Sequence, residues 1–244
     1  MKKILILGGT GDAVKLAAKL ATVPEIEVIS SLAGRTRKPA ALVGQVRIGG
    51  FGGATGLANY LQENSIDILI DATHPCAGQI TINGAIASQL ANIPHLMLVR
   101  PQWGKVNGDN WIEVESVEAA AQAIPESVKR VFVTSGRQQL EPFLQRSHIW
   151  YLIRSIDPPD VELPNSEVLL DRGPFNLEQE RKLLQDYQIE AIVSKNSGGS
   201  ATYAKIVAAR ELGIPVVMVQ RPARPEGEKV TGIKEAIAWL IAQL

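Results

Sequence analysis

One pattern constrains this chain more than any other. Short, nearly continuous apolar runs alternate with helix-like stretches from end to end. The runs fall at residues 4–7, 27–31, 45–48, 67–70 and 95–99, and again at 130–134, 149–154, 191–194 and 216–219. Helical spacing fills 12–21, 55–64 and 78–90 in the first half, and 138–145, 177–187, 200–212 and 233–242 in the second. Runs that are apolar throughout, rather than alternating, suit strands covered by helices on both faces. Strand–helix–strand repetition implies right-handed crossovers and a parallel, doubly wound sheet. The rhythm breaks at residues 100–109, where Pro101, Gly104, Asn107 and Gly108 leave little room for regular structure. The expected architecture is therefore two α/β domains, 1–102 and 103–244, with a cleft between them.

Composition removes several classes of function. Lys plus Arg equals Asp plus Glu at 25 each, so the net charge of zero argues against a dedicated binder of nucleic acid or anionic membrane. A single cysteine, Cys76, excludes an internal disulfide framework and a cysteine-based zinc site. No run of about eighteen apolar residues announces a membrane span. The apolar stretch after Lys2 and Lys3 is only four residues long and ends in glycines, which suits a buried strand and not a secretory signal. A cytoplasmic protein is expected.

The strand ends carry the chemistry. After the first strand, Gly8-Gly9-Thr10-Gly11-Asp12-Ala13 turns into a helix. Glycines there let the backbone approach a phosphate, and the free N–H groups of the helix start hold the anion. The third glycine of the dinucleotide fingerprint is replaced by Val14, and a tight turn without a ligand is the other reading. The second strand ends Ser30-Ser31-Leu32 without the acid that binds a ribose 2′-hydroxyl, and Gly34-Arg35-Thr36-Arg37-Lys38 follows. Hydroxyls and cations suit a 2′-phosphate, so NADP is favoured over NAD, with Ser31 and Arg35 as the leading contacts. Gly49-Gly50-Phe51-Gly52-Gly53 follows the third strand, on the expected cofactor side, where Gly50 and Phe51 are candidates. Asp71-Ala72-Thr73-His74 ends the fourth strand. Thr73 and His74 are placed to touch a nicotinamide or a substrate. Alternatively Asp71 caps the next helix and His74 bonds a loop carbonyl. No second His or Cys supports a metal at His74.

In the second half, Lys195-Asn196-Ser197-Gly198-Gly199-Ser200 ends a strand before a helix and reads as a further anion cradle. Ser135-Gly136-Arg137, Arg172-Gly173-Pro174 and Arg221 add cations at strand or turn ends. Each alone is an ordinary surface charge. Together, in a neutral chain, they suggest a substrate with several carboxylates or phosphates.

These segments, with Arg100-Pro101-Gln102-Trp103, resemble the precorrin-6A reductase family of cobalamin biosynthesis in order and spacing over nearly the whole chain. Cys76 departs from the phenylalanine that the family pattern has after the His-Pro pair. The resemblance implies two Rossmann-like domains. It further implies NADPH-dependent reduction of a carbon–carbon double bond in a corrin precursor, with hydride delivered to carbon 19 of the ring. NADPH would bind the first domain through Gly8 to Ala13, Ser31, Gly34, Arg35, Thr36, Gly50 and Phe51. Thr73 and His74 would line the nicotinamide. The macrocycle's carboxylates would meet Arg137, Arg172, Lys195, Ser197 and Gly198. Two other readings compete. A different NADP-dependent reductase would usually place a Tyr-x-x-x-Lys pair near the cofactor, and none follows the fourth strand. An NADP sensor without turnover would not need the second set of anion cradles.

Overall fold

The computed structural model describes residues 1–34, 36–37 and 41–243. The chain forms two compact units, residues 1–101 with 222–244, and residues 102–221. Each contains one six-stranded sheet, and every strand pair in both sheets is parallel.

The first unit begins β1 (Lys2–Leu7), α1 (Gly11–Leu20), β2 (Ile26–Leu32), β3 (Gln45–Ile48) and α2 (Gly53–Glu63). It continues with β4 (Ile68–Asp71), α3 (Gly78–Ala91) and β5 (His95–Leu98). The next strand and helix, β6 (Trp111–Val114) and α4 (Val117–Ala123), already belong to the second unit. That unit goes on through β7 (Arg130–Val133), a 3₁₀ helix at Glu141–Arg146, β8 (Trp150–Ser155) and β9 (Ser166–Leu170). It ends with α5 (Leu177–Asp186), β10 (Ala191–Lys195), α6 (Ala204–Glu211) and β11 (Val216–Val219). The chain then returns to the first unit as β12 (Glu228–Val230) and α7 (Ile233–Ile241).

The continuous apolar runs have the expected cause. Ile4 and Ile6 of β1 pack with Leu16 and Leu20 of α1 and with Ala236 and Leu240 of α7. The intervening Leu5 and Leu7 pack on the other face, against Leu57 and Leu61 of α2. Each strand residue therefore has a buried face to fill. Helix α1 buries Ala13, Leu16, Ala17 and Leu20, a stripe at helical spacing. Truncating Leu16 to alanine would cost about 2–5 kcal/mol.

In the first sheet the order is β12-β5-β4-β1-β2-β3, so the winding direction reverses between β1 and β4. In the second the order is β6-β11-β10-β7-β8-β9, and the reversal lies between β7 and β10. Ligands of doubly wound sheets bind outside the carboxyl ends of the strands at this point.

Several expectations need correction. The second domain does not run to residue 244, because β12 pairs with β5 and α7 packs on α1 in the first unit. Four short elements, β6, α4, β9 and β12, were not foreseen. The helix expected at 138–145 is a 3₁₀ helix, with Pro142 in its first turn. The helix expected from 200 begins at Ala204.

Candidate active site

At the switch point of the first sheet, the glycine turn and the end of β4 are tied together. The Thr10 side chain caps α1 by accepting from Ala13 N at 3.1 Å, and donates to the Ala72 carbonyl at 2.8 Å. Gly8 N donates to the Ser31 carbonyl at 2.9 Å, which links the turn to the end of β2. Gly9 has φ +105°, a conformation that disfavours any side chain. A β-carbon built on Gly9 or Gly11 meets nothing within 4 Å, so the space over the turn is open. The N–H groups of Gly11 and Asp12, at the start of α1, have no partner within the helix. The Asp12 carboxylate pairs with Arg100 at 3.5 Å. These features fit an anionic phosphate group of a dinucleotide.

Beside this turn, Asp71 is buried and shapes the segment after it. Its Oδ1 accepts from Thr73 N at 2.9 Å and from Thr73 Oγ1 at 2.6 Å. Thr73 thus spends its only hydroxyl proton inward and presents lone pairs. Asp71 Oδ2 has no hydrogen-bond partner among the described residues. His74 Nδ1 accepts from Cys76 N at 3.1 Å, which puts the proton of the neutral ring on Nε2. Asp71 does not cap α3, whose N-cap is Ala77.

The ends of β2 and β3 form a second cluster along the same edge. Ser31 and Arg47 are directly opposed in the β2–β3 register. The Arg47 guanidinium reaches the carbonyls of Gly49 and Gly50 at 2.6 Å each and lies 3.7 Å from the Phe51 ring centroid. Gly34 has φ +76°, and Thr36 is half-buried. Arg35 lies outside the described residues. The edge thus brings Gly8 to Ala13, Ser31, Gly50, Phe51, Thr73 and His74 into one unit.

The switch point of the second sheet is lined differently. After β7, Ser135 has a buried hydroxyl with no partner among the described residues, Gly136 has φ +97°, and Arg137 pairs with Asp160 at 2.7 Å. After β10, Lys195 Nζ donates to Gln139 Oε1, and Ser197 N donates to the Lys195 carbonyl at 2.8 Å. Asn196 is buried and exchanges two hydrogen bonds with the backbone of Trp103. Gly198 and Gly199 are both left-handed. They are not the first residues of a helix, because α6 starts four residues after Ser200, so no helix dipole acts at them. Arg172 is exposed, and its segment lies against this loop through Phe175 N, which donates to the Ala201 carbonyl at 3.0 Å.

Sequence reasoning missed three groups. Arg47 is one. The others are the buried, forked Arg154–Glu180 pair and Lys205 beside it. Arg154 also stacks 3.6 Å from the Phe175 centroid. Burial pushes the Lys205 ammonium down to about 7, Arg154 adds to this, and Glu180 opposes it. Arg154 lies on β8, Glu180 on α5 and Lys205 on α6, so no local pattern joins these partners.

Fold and site together define a Rossmann-like protein of two parallel α/β units, the first carrying a dinucleotide-type glycine turn. Comparison with known proteins narrows this. Residues 3–241 match the family described as precorrin-6x reductase CbiJ/CobK. The precorrin-6A reductase of Rhodococcus erythropolis is 49% identical over 242 residues, which cover 98% of each chain. The cobalt-precorrin-6A reductase of Priestia megaterium is 27% identical, with 98% of each chain covered. The solved structure of CobK precorrin-6A reductase superposes with a TM-score of 0.93 at 38% identity, over 100% of this chain and 97% of that one. The chain belongs to the precorrin-6x reductase family, and is an oxidoreductase of cobalamin biosynthesis that reduces a carbon–carbon double bond. The family implies a nicotinamide cofactor. No helix among the described residues is long and apolar enough to cross a membrane.

Proposed function

We propose that the chain reduces precorrin-6A with NADPH, using the first unit for the cofactor and the second for the carboxylates of the macrocycle. The observation that carries this is the open glycine turn at the first switch point, tied through Thr10 and Ala72 to the segment that holds Thr73 and His74. NADPH supplies a hydride equivalent, and one proton completes the reduction of the double bond. The chain's residues do the positioning. Gly9 and Gly11 leave room for the pyrophosphate, and the N–H groups of Gly11 and Asp12 donate to it. Thr73 accepts from a donor such as the nicotinamide carboxamide, because its own proton is held by Asp71. His74 holds ring or substrate in a reactive pose from the same segment. Ser31, Gly34, Thr36, Gly50 and Phe51 surround the adenosine end.

In the second unit Lys195, Ser197, Gly198, Arg137 and Arg172 are the proposed carboxylate contacts. Lys195 is bound to a neutral amide, so its charge is not neutralised by that partner. Arg137 shares its charge with Asp160 and contributes less. The metal-free substrate is preferred because the Rhodococcus reductase named for it is 49% identical, against 27% for the Priestia reductase named for the cobalt form. Anaerobic incubation with precorrin-6A and either NADPH or NADH, followed by the absorbance of macrocycle and cofactor, tests the proposal. Equimolar loss of NADPH and of the substrate chromophore is expected. No turnover with NADPH, or faster turnover with the cobalt form, would overturn the corresponding part.

A further inference from the structure

Arg47 lies at the centre of the adenosine-end cluster, although nothing in its local sequence marks it. From Nη1 it donates to the Gly49 carbonyl at 2.6 Å and to Ser31 Oγ at 3.4 Å, and from Nη2 to the Gly50 carbonyl at 2.6 Å. The Phe51 ring lies 3.7 Å from its central carbon, and the Tyr60 ring 5.0 Å. A guanidinium gripped on one side by two carbonyls and stacked on a ring loses little further freedom when it binds. Its Nε–H has no hydrogen-bond partner among the described residues. The bond to Ser31 is long enough to yield to a stronger acceptor. Because Ser31 Oγ accepts from Arg47, its hydroxyl proton is available to an anion on the same side.

The acid expected of an NAD-type site is absent from this end of β2. Its one carboxylate, Glu27, sits near the start of the strand, held by Gln45 at 2.8 Å and Lys3 at 3.9 Å. Among the described residues the strand end therefore offers a fork of positive charge and a hydroxyl donor, with no carboxylate to accept from a ribose 2′-hydroxyl.

We propose that Arg47, with Ser31 as its hydroxyl partner, receives the cofactor's 2′-phosphate and sets the preference for NADPH over NADH, an inference that rests on the reading of the first unit as the cofactor site. Adenosine 2′,5′-bisphosphate and adenosine 5′-monophosphate are the probes, because they differ only in that phosphate. Calorimetric titration of the full chain should show the bisphosphate bound at least about tenfold more tightly. Arg47→Ala should weaken the bisphosphate by about ten- to a hundredfold and the monophosphate by less than about threefold. Arg47→Lys keeps the charge and loses the fork, and should recover part of the difference. It also reports on the site if removal of the side chain unfolds the loop. Equal losses for both probes in Arg47→Ala and Arg47→Lys would mean that Arg47 only clamps the glycine loop, and would overturn the proposal. Equal affinity of the unaltered chain for both probes would overturn it too. Failure of the unaltered chain to bind either probe would instead overturn the cofactor reading beneath it.

Discussion

The two units solve the same topological problem with different surface chemistry. Each winds outward in two directions from a central pair, β1 with β4 or β7 with β10; the first takes its edge strand β12 from beyond residues 102–221, whereas the second is built from one continuous segment. In the first unit the reversal is lined by glycines, Thr10, Thr73 and helix-start N–H groups. In the second it is lined by Ser135, Arg137 and Lys195, over loops without a helix start. Backbone donors suit a ligand whose phosphate sits at a fixed depth. Side-chain cations suit carboxylates that are spread around a large ring and screened by water. The units also differ inside. The second buries the Arg154–Glu180 pair with Lys205, whereas among the described residues of the first the only ionisable side chain in the buried set is that of Asp71.

The interior difference gives the largest expected effect. Glu180→Ala leaves two cations buried without their carboxylate, and should destabilise the second unit by about 3–5 kcal/mol. Urea unfolding followed by hydrogen exchange should show early exchange in β7, β8 and β10, with β1 and β4 still protected. Uniform loss of protection would show that the units unfold together and would break the comparison.

The edge difference comes next. Gly9→Val places a branched side chain at φ +105° and fills the open space over the turn. NADPH affinity should fall by about a hundredfold, while a macrocycle product analogue still binds. Normal NADPH binding by a folded variant would remove the glycine turn from the cofactor site. The converse variant, Lys195→Ala, should weaken the macrocycle analogue by about tenfold and leave NADPH unaffected. The loss should shrink as salt rises, because exposed cation–carboxylate contacts are screened. A salt-independent loss would point to a packing role for Lys195.

The same contrast explains what could be read from the sequence. Central strands such as β1 and β10 are legible because both faces are buried, so their residues are apolar without alternation. Edge strands are not. Gln45 to Ile48 is exposed at three of four positions, and Glu228 to Val230 carries two charges in three residues. The return of β12 to the first sheet depends on pairing with β5, more than a hundred residues earlier, which leaves no local mark. The glycine turn is legible because its parts are consecutive. Arg47 is not, because its meaning lies in the register that sets it opposite Ser31. Arg154, Glu180 and Lys205 look like surface charges on amphipathic elements until the fold closes over them. The helix expected to start at Ser200, directly behind Gly198 and Gly199, begins later for a related reason. A strand end followed by glycines looks the same whether the helix starts at once or four residues later.

Lys205 offers the smallest and most selective test of the second unit's buried charge. Its Nζ donates to the Thr202 carbonyl at 2.9 Å and lies 5.2 Å from the Trp103 ring centroid. Burial is the main cause of its depressed proton affinity, with Arg154 adding to it and Glu180 opposing. The folded value of about 7 lies below the unfolded value of 10.5. Between these two limits the unfolded chain binds the extra proton, so this group makes the fold more stable as pH rises. Below about 7 both states are protonated, and the full cost of a buried ammonium remains. Lys205→Met removes that cost and keeps an unbranched apolar side chain, but it deprives the Thr202 carbonyl of its donor. A net gain of about 1 kcal/mol is expected at pH 6, falling at pH 9. Thermal unfolding of the two chains at both pH values measures it. A gain that is equal at the two values, or larger at pH 9, would show that Lys205 stays charged in the fold and that Glu180 neutralises it along with Arg154.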